Sequence, residues 1–395
     1  MIIVITSIII IYFLISAFYL LGMVIASKHY QFKKNSNLLG NPAKQRFLIM
    51  IPAYKEDTVI INTALEALNQ DYDRNNFDVL VIADSLQPAT IAQINKLNVQ
   101  LQQVSFERST KVKAIRTAMK NINRRYDYLV LLDADNLVKP DFLTQLDQSL
   151  DTEKHHAVQL NRTAINSDQS LSFWDAFSEF SNNKIACEGP NALGLSSKFT
   201  GSGMVIHFNY FSYFINQMHS VGGFDKDMEI RFTERKIPIH YFNHIKVYDE
   251  KVEATGQMAK QRGRWIFAQY EYLFKNFGKA FYSLFHKNFD HFHRVAQLAL
   301  PPRFLGLVGL VMISLVSILI HPVLFVGSLL SLLVYSLAYL MLLLEYAEST
   351  KVLFRQLLKI PALVFTYLLA LYYLPKARKS FLHTSHGQKE TPKKP

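Results

Sequence analysis

The stretch YDYLVLLDADN, residues 126–136, runs apolar and then stops on two aspartates with one alanine between them. A short continuous apolar run predicts a buried strand. Asp133 and Asp135 stand at its end, and residues two apart on an extended segment point the same way. Two like charges so close need a counter-charge. Mg²⁺ typically takes one or two carboxylates together with substrate phosphates, so a divalent metal shared with a diphosphate fits the pair. A solvated surface turn is the competing reading.

Upstream, RFLIMIPAY (46–54) and FDVLVIAD (77–84) read as two further strands. Helical patterns follow them near 58–69 and 88–98. Strands alternating with helices predict an α/β domain with a mainly parallel, Rossmann-like sheet. Ligands of such sheets sit beyond the carboxyl ends of the strands. The polar residues Lys55, Glu56, Asp57, Asp84, Asp133 and Asp135 fall at those ends. Asp84 suits either a hydrogen bond to a nucleoside or a plain turn, which aspartate favours in any case. Residues 157–256 carry shorter strand signals and irregular pieces.

Half of the 395 residues are hydrophobic, and they are unevenly spread. Residues 2–26 are apolar and uncharged, and 304–344 are nearly so, broken at His321-Pro322. A membrane-crossing helix needs about 20 apolar residues. The first run has no basic start and is too long for a cleaved signal, so it predicts a retained anchor. Lys28, Lys33, Lys34, Lys44 and Arg46 follow it. The positive-inside rule then places the middle of the chain in the cytoplasm. The expected organisation is an anchor at 1–27, a catalytic domain at 46–265, amphipathic interfacial helices at 266–302 and a transmembrane hairpin at 303–345. An interfacial or fourth membrane helix at 346–375 and a basic tail at 376–395 complete it. The net charge of +12 gathers at membrane flanks and in the tail. With no nucleic-acid motif beside it, that charge excludes nucleic acid as the partner and suits membrane lipid and an anionic substrate. The lone Cys187 rules out an internal disulfide and fits a reducing compartment.

Four further stretches carry chemistry. RSTKVKAIRTAM (108–119) opens a helix, and Lys111 there suits a phosphate or a solvated face. In FTGSGM (199–204) the glycines let backbone approach a ligand closely, or simply make a turn. GFDKDMEI (223–230) offers Asp225, Asp227 and Glu229 as carboxylates that could take a proton, and residue types alone do not choose among them. QRGRW (261–265) offers arginines for a phosphate clamp and a tryptophan face for a sugar; a cationic-aromatic membrane anchor has the same composition.

Taken in order, IPAYKED, VIADS, DADN with KPDFL, GSGM, KDME and QRGRW resemble a bacterial membrane-bound family-2 glycosyltransferase. The group in view contains the cellulose, hyaluronan and poly-N-acetylglucosamine synthases. The motifs span about 48–265, and FLHTSH (381–386) also resembles tails of bacterial members. The resemblance implies a GT-A fold and an inverting transfer from a nucleotide-sugar, UDP-linked, at the cytoplasmic face of a bacterial inner membrane. The acceptor would be a growing glycan or a lipid carrier, with oligomerisation or an export partner completing a path for a polymer. A non-catalytic scaffold is the remaining reading, and the retained aspartates argue against it.

By the same resemblance Pro52, Tyr54, Glu56, Asp84, Lys111, Asp133, Gln261, Arg264 and Trp265 bind the donor. Asp133 and Asp135 hold Mg²⁺ or Mn²⁺. Gly201, Ser202 and Gly203, with Trp265, meet the acceptor. Asp227 matches the base of a Thr-Glu-Asp motif when aligned on the x-Glu that follows. Three departures stand out: Asp225-Lys226 replaces Thr-Glu, VIADS lacks the usual second aspartate and glycine, and Val112 replaces a glycine.

Overall fold

The computed structural model describes residues 1–32, 44–165, 170–249 and 255–347, with 356, 358, 364, 366–369 and 371–372 beyond them. The readings placed on 357–374, apart from those few positions, and on 376–395 lie outside the described residues. The chain divides into two compact units. One comprises Phe32–Asn166 and Ser197–Val252; the other comprises Met1–Gln31, Ser167–Ser196 and Glu253–Arg378.

The first unit is a seven-stranded sheet in the order β3-β2-β1-β4-β6-β5-β7. Its strands are β1 (Phe47–Tyr54), β2 (Phe77–Asp84), β3 (Gln100–Val104), β4 (Tyr128–Leu131), β5 (Ala157–Ala164), β6 (Met204–His207) and β7 (His240–Asp249). β1 pairs in parallel with both β2 and β4, and β2 with β3. β6 runs antiparallel between β4 and β5, and β7 returns parallel to β5. The fold is GT-A-like: a mixed, mostly parallel sheet flanked by helices.

Side-chain alternation along β1 shows why its whole run is apolar. Phe47, Ile49 and Ile51 enter one core with α2 (Ile60–Leu68) and α5 (Phe142–Ser149). Leu48 and Met50 enter another with α4 (Lys111–Met119), α8 (Phe208–Gln217) and α9 (Phe224–Glu234). Both faces are covered, as a parallel sheet requires. A further short helix, α3 (Pro88–Ile94), follows β2.

Histidines crowd the starting ends of β5 and β7, opposite the aspartate-bearing ends. The rings of His155 and His240 lie 4.7 Å apart, and those of His156 and His207 6.1 Å apart. His155 Nδ1 accepts the Asp151 N–H at 2.9 Å. Burial, then the neighbouring His240, push His155 down to about 4. An unfolded histidine titrates near 6.5, so between those values the unfolded chain binds more protons and stability rises with pH. His155 is therefore expected to withdraw roughly 2 kcal/mol of stability from the sheet unit between pH 7 and pH 5. Urea unfolding at both pH values reads this. The same acid loss in His155→Gln as in wild type contradicts it.

In the second unit, α1 (Ile2–Lys28), α12 (Arg303–Ile320) and α13 (Pro322–Tyr346) are long and apolar enough to cross a membrane. Among the described residues there are three such helices. Their outer faces leave large apolar side chains bare, including Ile15, Leu319 and Val323. Their inner faces share a core with α6 (Ser170–Asn182) through Phe173, Trp174 and Phe177. A π-helical turn, Asn183–Glu188, joins α6 to α7 (Gly189–Ala192). Gly189 is needed there, because a Cβ would stand 2.6 Å from the Met23 carbonyl of α1. Residues 170–196 thus cluster with the long apolar helices, although they lie inside the span 46–265 read from sequence as one domain. α10 (Thr255–Phe285) and α11 (Phe289–Gln297) complete this unit.

Candidate active site

The ends of β1, β2 and β4 bring polar groups together for local reasons. Tyr54 and Asp84 are register partners at the last positions of β1 and β2. The chain then turns sharply at both strands, with Lys55 and Ser85 in the left-handed region (φ 57° and 59°). The Lys55 N–H donates to the Asp84 carbonyl at 3.1 Å, and the Gln87 N–H donates to Asp57 Oδ1 at 2.7 Å. Asp84 is buried, and the hydroxyls of Ser85 and Ser109 both donate to its Oδ1 at 3.0 Å. Glu56 is buried just ahead of α2, and Pro52 is part-buried within β1.

β4 stops at Leu131, and the two aspartates lie in the turn beyond it. This differs from the extended segment expected from sequence. The turn closes when the Asn136 N–H reaches the Asp133 carbonyl at 3.1 Å, so strand alternation is not what orients the carboxylates. Neighbours orient them instead. The Thr63 hydroxyl donates to the Ala134 carbonyl at 2.6 Å. Asn136, 1% exposed, accepts the Asp133 N–H at 3.0 Å through Oδ1 and donates to Asp135 Oδ1 at 3.3 Å. Ser202, fully buried, donates to the same Asn136 oxygen and accepts the Asp133 N–H at 3.1 Å.

Gly201 and Gly203 both have positive φ (90° and 61°), which lets the loop carry Ser202 inward. Gln159 of β5 secures that loop. Its Oε1 accepts the Thr200 N–H at 2.9 Å, and its Nε2 donates to the Ser202 carbonyl at 2.9 Å. The glycine-serine turn expected to meet the acceptor therefore also braces the aspartate turn.

Lys111 opens α4 behind the cap made by Thr110, and its ammonium reaches Asp133 Oδ1 at 2.5 Å and the Gly201 carbonyl at 2.8 Å. One cation thus joins the aspartate turn, α4 and the glycine loop. Arg162 pairs with Asp249 nearby. Burial opposes its charge, but Asp249, then Asp133 and Asp135, hold its pKa above the ordinary arginine value.

The donor set at the aspartate turn fits a hard divalent cation. Both groups are carboxylates, Asp133 is 38% exposed on its side chain, and it already accepts a cation in Lys111. Among the described residues no group of three or more His, Cys, Asp or Glu side chains could hold a metal by itself. A metal here would complete its shell with substrate oxygens and water, as Mg²⁺ does with phosphates.

Gln261, Arg264 and Trp265 lie within α10, in the second unit. Their i, i+3, i+4 spacing puts them on one helix face. Burial pulls the Arg264 guanidinium down to about 10, which leaves it cationic at neutral pH. Trp265 is 43% exposed, and the Arg262 guanidinium lies 4.6 Å from its ring centre. Arg262 itself is buried and pairs with Asp175 of α6. Arg262 thus ties α10 to α6.

On the sheet side the structure gathers Tyr54, Asp84, Lys111, Asp133, Asp135 and residues 201–203 at neighbouring strand ends and loops. It adds Asn136, Gln159, Ser109 and Arg162, which the sequence reading did not single out. Asn136 directly follows the aspartates, where asparagine makes turns. Gln159 is a polar residue inside an apolar strand run, the one other visible signal.

Among known proteins, the family described as glycosyltransferase like family 2 matches residues 43–268. A glucans biosynthesis glucosyltransferase H of Rhodopseudomonas palustris (strain TIE-1) is 24% identical over 120 residues, 27% of this chain and 17% of that protein. The same enzyme from strain ATCC BAA-98 / CGA009 is 25% identical over an equal share. The match thus spans less than a fifth of the length of these curated relatives. Among solved structures, a mannosyltransferase from Pyrobaculum calidifontis in complex with GDP-Man and Mn²⁺ aligns at TM-score 0.48 and 14% identity, over 83% of this chain and 99% of that one. S. aureus TarS 1-349 in complex with UDP-GlcNAc aligns at TM-score 0.39 and 14% identity, over 74% and 90%.

Proposed function

Because the chain belongs to the glycosyltransferase like family 2, we propose that it moves a sugar from a UDP-linked donor onto a growing glycan at a bacterial inner membrane, inverting the anomeric carbon. The observation that carries this is the bracing of the Asp133–Asp135 turn. Backbone, Asn136, Ser202 and Lys111 fix two carboxylates at the carboxyl ends of the strands, the position where open α/β sheets bind ligands.

In this reading Asp84 takes the nucleoside, beside Pro52, Tyr54 and Glu56. Lys111 sits ready for the diphosphate. Asp133 and Asp135 would hold Mg²⁺ or Mn²⁺, which when bound offsets charge growing on the leaving diphosphate. A carboxylate in the first turn of α9, where Asp225 and Asp227 lie, takes the acceptor proton. Gly201, Ser202 and Gly203 shape the acceptor side. Gln261, Arg264 and Trp265 are proposed to serve donor and acceptor on the strength of the Gln-x-x-Arg-Trp spacing.

We assign α1, α12 and α13 to the bilayer and the sheet unit to its cytoplasmic side, supported by Lys28 and by Lys44 and Arg46 after the first span. Along α10 and α11, Phe274, Phe277, Phe281, Tyr282, Phe285 and Phe289 are exposed beside Lys275 and Lys279. That composition suits a helix lying in a membrane interface. It also favours one second reading, transfer of a single sugar to a lipid carrier presented from the membrane.

Sizing the product separates the two readings. The purified protein, given Mg²⁺ or Mn²⁺ and the nucleotide-sugar it turns over, is expected to yield a polymer that grows with time. A lipid carrying one sugar, with no further growth, supports the second reading and contradicts the first.

A further inference from the structure

Two aspartates in the first turn of α9 can be told apart by where the helix points them. α9 begins after Gly223, which has φ 68°, so Asp225, Lys226 and Asp227 all have helical positions. At 3.6 residues per turn, positions two apart lie roughly 200° around the axis. Asp225 and Asp227 therefore project from nearly opposite sides. The rotation of the helix is fixed by its apolar stripe. Phe224, Met228 and Phe232 are all buried, in one core with Phe211, Phe214 and Ile215 of α8.

Asp227 lies on the flank that faces the end of α8. Arg231, one turn on, donates from Nε to Asp227 Oδ1 at 2.8 Å. The same guanidinium donates to the Gln217 side chain at 3.3 Å and to the Gln217 carbonyl at 3.1 Å. Asp227 thus helps to lock α9 onto α8.

Asp225 lies on the flank that faces the glycine loop. Its Cβ is 4.0 Å from where a Cβ on Gly201 would stand. The Gly201 carbonyl accepts from Lys111, which holds Asp133. Glu229, one turn beyond Asp225, clamps this flank to the loop by accepting the Phe199 N–H at 2.9 Å. Lys226 Nζ lies 3.2 Å from Asp225 Oδ2. Burial opposes ionisation of Asp225, and Lys226, with Lys198 next, overcomes it and holds the carboxyl below its ordinary range.

We propose that Asp225, and not Asp227, is the carboxylate that takes the acceptor proton, and that Asp227 is a positioning residue acting through Arg231. This rests on the reading of the chain as a nucleotide-sugar transferase. The acceptor O–H gives its proton to Asp225 Oδ. The oxygen's electron pair forms the bond to the anomeric carbon while the bond from that carbon to the diphosphate oxygen breaks. Its pair leaves on the nucleoside diphosphate.

The test uses the full chain and the donor that wild type turns over. Asp225→Asn is expected to lower kcat by about 10²–10⁴-fold, the range for a general base. Binding of the released nucleoside diphosphate, by calorimetry, stays within about twofold, since the amide keeps the side-chain shape. Asp227→Asn is expected to lower kcat only modestly and no more than Arg231→Gln, which also loses the two bonds to Gln217, and the double variant is expected to fall no further than Arg231→Gln, because the Asp227 contact is already gone there. Retention of more than a tenth of kcat by Asp225→Asn overturns the assignment. So does a loss in Asp227→Asn more than about tenfold beyond that in Arg231→Gln. A wild-type protein that turns over no nucleotide-sugar overturns the underlying reading instead.

Discussion

Replacing Asp135 by alanine is expected to cut sugar transfer by at least about 10²–10³-fold, the usual cost of removing a group that stabilises charge in the transition state. The fold should survive the change. Asp135 lies part-exposed in a turn, and Ala134, Asn136 and Ser202 hold that turn through other atoms. Asp133 is the less clean target, since its loss would strand the Lys111 ammonium as well. Release of nucleoside diphosphate by the purified variant, at matched melting temperature, reads the effect. Chelation of divalent metal in wild type is expected to match it. Wild-type turnover in Asp135→Ala contradicts the site assignment.

Replacing Arg262 by leucine is expected to lower stability by about 3–5 kcal/mol, the range for removing one partner of a buried ion pair. Arg262 and Asp175 are each about 6% exposed, so the carboxylate left behind would have little access to water. The guanidinium also lies over the rings of Trp265 and Tyr367, and that stacking goes with it. The loss should appear as a lower melting temperature and poor recovery in detergent. Changing Asp175 to leucine in the same chain should restore part of it, because two apolar groups of similar size leave no charge buried. An Arg262→Leu protein as stable as wild type contradicts the structural role. Two residues along, Arg264→Ala is the contrast, with activity expected to fall while the fold holds.

Sequence and structure agree best where a strand is buried on both faces. β1, β2 and β4 read as apolar runs because both of their faces meet helices. β3, QLQQV, sits at the sheet edge with partial exposure and offers no such run. The antiparallel entry of β6 between β4 and β5 is a non-local pairing that a four-residue strand cannot announce. Nor does anything local send 170–196 to the unit of the long helices, where Phe173, Trp174 and Phe177 find their partners more than a hundred residues away.

The same division runs through the site. Aspartates after apolar strands were visible, since charge at a strand end breaks the pattern. Their bracing was not visible, because Asn136, Ser202 and Gln159 come from different parts of the chain and meet only in the fold. The turn at Asp133–Asp135 shows the limit of period-two reasoning two residues past a strand. Asp225 and Asp227 show another limit. Their composition is equal, and only the start of α9 and the pull of Arg231 give them different surroundings.

The central claim is that the braced aspartates serve transfer from a nucleotide-sugar. The most direct measurement is nucleoside diphosphate release by the purified full-length protein, with Mg²⁺ or Mn²⁺, across a panel of UDP- and GDP-sugars with membrane lipid and oligosaccharide acceptors. The account predicts turnover of a UDP-sugar that stops on chelation and in Asp135→Ala. No release from any donor under these conditions, by a protein shown to be folded, contradicts it.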